Sequence, residues 1–228
     1  MKQIKFNLSF LKIHKFLLSL TVIFLLCSQA SFADSVRPAT SYKVVTANGK
    51  YIFIMHPVPA KDRFYKGRDK ALLKEYPETG LYTNDQHKTL LWSVDWYAQV
   101  FVSSDGKHLI RMGGWPRGSP LNRRPEGKFD PVEMFIKVHN QEPVGPSVNP
   151  EALSQLAIAF YDRGTLIKEY SIGDLIRKPA ELPESVSHFS WSKKISYDDK
   201  NGKIGVTTQD GQVFTFDLNG HILHRKNL

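Results

Sequence analysis

The chain has 228 residues, with 31 Lys and Arg against 22 Asp and Glu, and a single cysteine, Cys27. That length suits one domain with its own hydrophobic core, and one cysteine excludes an internal disulfide framework. Residues 1–33 hold Lys2, Lys5, Lys12 and Lys15 and no acid, so residues 34–228 keep 27 basic and 22 acidic side chains, a net +5. So modest a charge does not call for nucleic acid; it permits weak attraction to anionic envelope surfaces.

In chain order, the first element is an export signal. A basic start is followed by an apolar run from Phe16 to Cys27 and by Ser31-Phe32-Ala33, with small residues where a signal peptidase inspects them. The run is shorter than the roughly 20 apolar residues of a spanning helix, and His14 and Lys15 bound it. Cleavage after Ala33 is expected, which leaves no transmembrane segment and places the protein in a bacterial periplasm or outside the cell. Leu25 and Leu26 before Cys27 depart from a lipobox. Residues 34–228 then form a single β-rich domain without cysteine, so a cysteine nucleophile is excluded.

Helical signals in that domain are short. Asp69 to Tyr76 suits two turns. Asn149-Pro150 reads as a cap followed by a first-turn proline. Ser171 and Asp174 have capping-box spacing. Elsewhere short runs of Val, Ile, Phe, Tyr and Thr alternate with Asn-Gly, Asp-Gly and Arg-Gly turns, the signature of hairpins.

These hairpins recur as an imperfect repeat. The first unit runs Tyr42–Val45, Asn48-Gly49-Lys50, Tyr51–Met55, then Gly80–Asp85 and Thr89–Val94. The second runs Gln99–Ser103, Asp105-Gly106-Lys107, His108–Met112, then Leu156–Asp162 and Thr165–Ile167. The third is compact: Lys194–Tyr197, Asn201-Gly202-Lys203, Ile204–Thr207, Val213–Asp217 and His221–Leu223. Each unit reads as four antiparallel strands. Ser103-Ser104-Asp105-Gly106-Lys107-His108-Leu109 and Val213 to Gly220 resemble generic β-propeller blades, and the chain is similar to uncharacterised secreted bacterial proteins with comparable Asp-Gly-Lys and Trp-rich stretches. The resemblance implies an all-β protein of about three four-stranded blade-like sheets, an incomplete propeller-like array, and implies no reaction. Propellers close with about four to eight blades, so closure would need a further sheet or chain. A two-sheet β-sandwich is the alternative architecture.

Two insertions, about 56–79 and 113–152, interrupt the same connection in the first two units, and in repeat folds such insertions emerge on one face. The first carries Arg63, Phe64 and Arg68. The second begins Gly113-Gly114-Trp115-Pro116-Arg117 and continues through Arg123 and Arg124. With Arg111 beside them, Arg63, Arg68, Trp115, Arg117, Arg123 and Arg124 are the candidate ligand-binding residues: arginine forks suit carboxylate, sulfate or phosphate, and an aromatic ring stacks on a sugar. The plainer account is that these loops are solvated excursions. Trp92, Trp96 and Trp191 lie in or beside apolar strands and read as packing residues.

No metal or cofactor is expected. His221 and His224 have the wrong spacing to share a strand face, and Asp198 to Gly202 lacks the first carboxylate and closing glutamate of a calcium loop. Neither Gly-x-Ser-x-Gly nor His-Glu-x-x-His occurs, and Ser190-Trp191-Ser192-Lys193 lacks its companion motifs. A catalytic carboxylate pair drawn from Asp95, Asp105, Asp130, Asp162, Asp174 and Asp199 stays open. The sequence therefore leads to a non-enzymatic exported binding module for an anionic glycan, lipid headgroup or envelope protein. A secreted polysaccharide hydrolase or lyase, and a structural subunit assembling through sheet edges, are the alternatives.

Overall fold

The computed structural model describes residues 39–58, 69–122 and 147–227. The expected export signal, residues 1–33, and Arg63, Arg68, Arg123 and Arg124 lie outside these residues. Within them the chain is all-β, with three four-stranded antiparallel sheets, none closed. The first is β1 (Tyr42–Val45), β2 (Tyr51–Met55), β3 (Gly80–Thr83) and β4 (Leu90–Ser93). The second is β5 (Val100–Val102), β6 (His108–Met112), β9 (Leu156–Asp162) and β10 (Thr165–Ser171). The third is β11 (Ser192–Asp198), β12 (Lys203–Thr208), β13 (Gln212–Asp217) and β14 (Ile222–Asn227). A two-residue ribbon, β7 (Leu121–Asn122) with β8 (Ser147–Val148), lies within the second insertion. Three separate sheets, each matching one repeat unit, replace the two-sheet sandwich alternative.

The first hairpin of each sheet turns at the glycine the repeat predicts. Gly49, Gly106 and Gly202 close turns onto the carbonyls of Thr46, Ser103 and Asp199. Gly106 shows why no other residue serves: its φ is +72°, and a Cβ would stand 2.7 Å from the Tyr51 ring.

The second sheet is the central layer. Leu109, Val100, Val102, Ala159 and Tyr161 pack against Phe53, Met55, Leu81 and Trp92 of the first sheet. Ile110, Met112, Ile158 and Phe160 pack against Ile204, Val206, Phe214 and Phe216 of the third. Burial on both faces explains why β9 reads Leu-Ala-Ile-Ala-Phe-Tyr without polar alternation.

The two terminal faces end differently. Ile52, Ile54 and Tyr82 point away from the central sheet and are covered by Tyr76 and by Leu72 of helix α1 (Lys70–Glu75). Asp69 starts that helix by accepting from the Ala71 and Leu72 amides. On the third sheet the outward rows, in register, are Lys194, Thr207, Val213, Lys226 and Ser196, Gly205, Thr215, His224. This face is polar, as terminal units of stacked repeats require.

Neighbouring units are also tied turn to turn. The Asn48 side-chain amide donates to Ser104 O at 2.7 Å. The Ser104 amide donates to Asp199 Oδ1 at 2.9 Å, its hydroxyl donates to Asp199 Oδ2, and Tyr197 Oη donates to Asp199 Oδ1 at 2.8 Å. Burial pushes the Asp199 carboxyl up, but these donors outweigh it and hold the group below its ordinary value. One hydrogen-bonded line thus crosses the first hairpins of all three sheets.

Helices α2 (Pro150–Leu153) and α3 (Ile172–Leu175) start at the caps expected for them, Asn149 and the reciprocal Ser171–Asp174 box. Their apolar residues Ala152, Leu153, Ile172 and Leu175 join the core between the second and third sheets. The chain after α3 is anchored by buried Asp210, whose Oδ2 accepts from the Arg177 and Lys178 amides at 2.6 and 2.9 Å and whose Oδ1 accepts from the Thr208 hydroxyl at 2.5 Å. Burial opposes ionisation here, yet the three donors prevail and the carboxyl titrates below its ordinary value. Asp210→Asn is expected to cost about 1–3 kcal/mol at neutral pH. The folded pKa is depressed, so the stabilisation is complete above the ordinary value near 3.9 and is lost as pH falls through the lower folded value. The wild-type and Asp210→Asn urea midpoints should therefore converge on acidification; a gap constant with pH contradicts this role.

Candidate functional site

The connection 94–99 joins the first sheet to the second, and the roots of both insertions meet on it. At its start the Val94 amide donates to Thr79 O at 3.0 Å, at the return of the first insertion. At its end the Met112 amide donates to Gln99 O at 2.9 Å, where the second insertion departs. Both insertions also interrupt the connection between the second and third strands of their sheets, as the repeat predicts. The outgoing root of the first insertion is fixed by buried His56, which bridges the Ser41 hydroxyl at 3.0 Å and Tyr76 O at 2.8 Å.

Arg111 stands at this end of the central sheet, between Val100 and Ala159 across the strands. It shares the strand face of Leu109, which turns toward the first sheet. Its guanidinium lies over the Trp96 ring, 4.5 Å from the centroid, and its Nη1 reaches Tyr161 Oη at 3.4 Å. Trp96 and Tyr161 themselves pack at 5.2 Å. Alongside, Tyr97 meets Tyr42 edge-on at 6.2 Å and holds the backbone of Thr40 through its hydroxyl. Burial, then the neighbouring Tyr97, pushes the Tyr42 hydroxyl well above the ordinary phenol value, so it stays a neutral donor to Ala98 O.

Arg111 is half-buried, and its Nε is shielded from solvent without a hydrogen-bond partner. Among the described residues no carboxylate forms an ion pair with it. A half-exposed cation held on an indole, with no carboxylate paired to it, is suited to receive an anion.

The other sequence candidates separate from this platform. Trp115 is 41% exposed, and its ring packs on His188 at 4.0 Å. Arg117 is exposed, and its backbone is clamped by Gln155, which accepts from its amide and donates to its carbonyl, both at 2.8 Å. An isolated bridge joins Arg117 to His188, and the Gly118 amide donates to Ser187 O. The described part of the second insertion therefore docks on the connection between the second and third sheets. Trp96 and Tyr161 were missing from the sequence candidates. Trp92 and Trp191 are buried as expected, whereas Trp96 is half-buried beneath the arginine.

Most of the dispersed acids hold turns and caps. Asp105 binds His108 Nδ1 at 2.5 Å and two backbone amides, Asp162 contacts Arg163, Asp174 completes a capping box, and Asp199 joins the hairpin turns. Asp130 lies outside the described residues. Among the described residues no three or more His, Cys, Asp or Glu side chains are grouped to hold a metal ion, and no helix is long and apolar enough to cross a membrane. No protein-family model, curated protein or solved structure matches the chain.

Proposed function

We propose that the chain is an exported binding module that captures an anionic glycan on the Arg111–Trp96–Tyr161 platform. The three sheets are read as successive blades of an unclosed propeller-like array, with the roots of both insertions, at Thr79 and Met112, meeting beside that platform. The observation that carries the reading is the half-buried guanidinium held 4.5 Å over Trp96 with no carboxylate paired to it among the described residues. Arginine offers a planar fork to a carboxylate or sulfate, while buried Tyr161 holds the guanidinium in place through its hydroxyl. The basic, apolar and small-residue order of residues 1–33 supports an extracytoplasmic setting.

The test is calorimetric titration with a polyuronate, a sulfated polysaccharide and a neutral glucan. Wild-type protein should bind one of the two anionic polymers and not the glucan. Arg111→Gln should weaken that binding by about tenfold or more, the usual effect of losing a charged hydrogen bond. Arg111→Lys should recover part of it, since it keeps the charge but not the fork. Equal affinity in Arg111→Gln and wild type would remove the platform from the reading. New reducing ends on the polymer would replace capture with hydrolysis.

A further inference from the structure

A second surface, independent of the glycan reading, lies where the outermost strands of the second and third sheets come together. An open groove of about 600 Å³ is lined by Ile167, Lys168, Tyr170, Asn219, His221 and Ile222. Its wall is fixed: Tyr170 Oη donates to Gly220 O at 2.7 Å. The rim is unusually apolar for an exposed edge, with Leu166, Ile167, Ile222 and Leu223 exposed by 41–52%.

An open strand edge with exposed aliphatics invites pairing with another strand, the assembly expected of a structural subunit. Both edges carry devices against it. Strand β10 is bulged at Ile167, between Leu166 and Lys168. Strand β14 is bulged at Leu223, between Ile222 and His224. A bulge breaks the ladder an incoming strand would extend, and edge cations oppose it further. The bulged residues are themselves aliphatic, so each edge pushes an apolar side chain outward where strand addition is discouraged. Strand β14 itself carries His224, Arg225 and Lys226 and no acid, and Lys168 stands on β10. The acids nearby are Glu169, exposed on β10, Asp174, engaged in its capping box, and Asp217, engaged with His221 at 2.9 Å.

We propose that this surface docks on an anionic lipid bilayer, with Ile167, Ile222 and Leu223 entering the headgroup boundary and Lys168 and Arg225, the latter from its place over the Phe214 ring, meeting lipid phosphates. Apolar side chains ringed by cations are the chemistry of interfacial binding. Charge complementarity selects a bilayer over a second copy of this chain, whose own edge would bring the same cations.

The experiment uses the full chain with Cys27→Ser and an environment-sensitive fluorophore on Leu223→Cys. The control carries the fluorophore on Gln86→Cys, in the exposed turn before β4. Vesicles are phosphatidylcholine with or without phosphatidylglycerol. The label at 223 should shift to the blue only with phosphatidylglycerol, and the label at 86 should not. This reads contact at the patch whatever the N-terminal segment does. With the bound fraction read by cosedimentation of the unlabelled chain with the vesicles, the pair Ile167→Ser and Leu223→Ser should reduce it about tenfold at limiting lipid, with an unchanged melting transition. No shift at 223, an equal shift at 86, or undiminished binding by the doubly substituted chain overturns the proposal. So does a dimer seen in sedimentation that the two serines dissociate, which would assign the surface to a second copy.

Discussion

Alanine in place of Gly113 is expected to cost about 3 kcal/mol or more, enough to remove much of the stability of a domain this size. Gly113 continues β6 beyond its last residue and donates to Ala157 O at 2.9 Å. A Cβ at this position would stand 1.7 Å from Leu156 O and 2.7 Å from Leu156 C. Both are main-chain atoms of β9, so no side-chain rotation relieves the clash; one of the two central strands must shift. Because Arg111 precedes Gly113 by two residues along the same strand direction, the proposed anion binding at Arg111 should fall with stability. Urea unfolding of Gly113→Ala checks this, and a midpoint equal to wild type would mean that β6 and β9 do not approach so closely.

The second large effect is expected at Phe160. Its side chain is fully buried, its ring lies 5.5 Å from Phe216 and 6.4 Å from Tyr170, and it contacts the position of Gly220. It is the central sheet's main aromatic contribution to the core shared with the third sheet. Phe160→Ala should cost about 3–5 kcal/mol through lost burial and a residual cavity. Phe160→Leu keeps most of the volume and should cost less than about 1.5 kcal/mol. Equal losses for the two substitutions would show that the sheets do not depend on this contact.

Much of the fold was legible because its turns are chemically constrained. Asn48-Gly49, Asp105-Gly106 and Asn201-Gly202 sit at positions that need positive φ, and the apolar runs between them have strand length. The caps at Asn149 and Ser171 were equally readable, since each needs a short polar side chain before a helical turn. The extent of β10 was not. Expected to end at Ile167, it continues to Ser171, because the bulge at Ile167 breaks the alternation that would have revealed Lys168 to Tyr170. The ribbon Leu121–Asn122 with Ser147–Val148 has only two residues a side, too few to carry a period.

The platform was half legible. Arg111 was named for its closeness to the second insertion, and its shared parity with Leu109 already turned it toward the first sheet. Its partner was hidden: Trp96 lies in a connection with no periodicity, and only the packing of two sheets places that ring under the guanidinium. Trp115 was singled out for its Gly-Gly and Pro neighbours, which mark a turn but not the His188 ring it meets.

The unlike ends of the stack set a limit on growth. Sheet meets sheet here through two different surfaces, a contact that can in principle repeat from molecule to molecule into a filament. Helix α1 and Tyr76 withhold the first sheet's Ile52, Ile54 and Tyr82 from such a neighbour, while the opposite end offers Lys194, Thr207, Ser196 and Thr215. Losing α1 alone would bare one adhesive end with no counterpart, so association would stop at a face-to-face pair. A fibre requires both ends to change, and a single substitution cannot supply that.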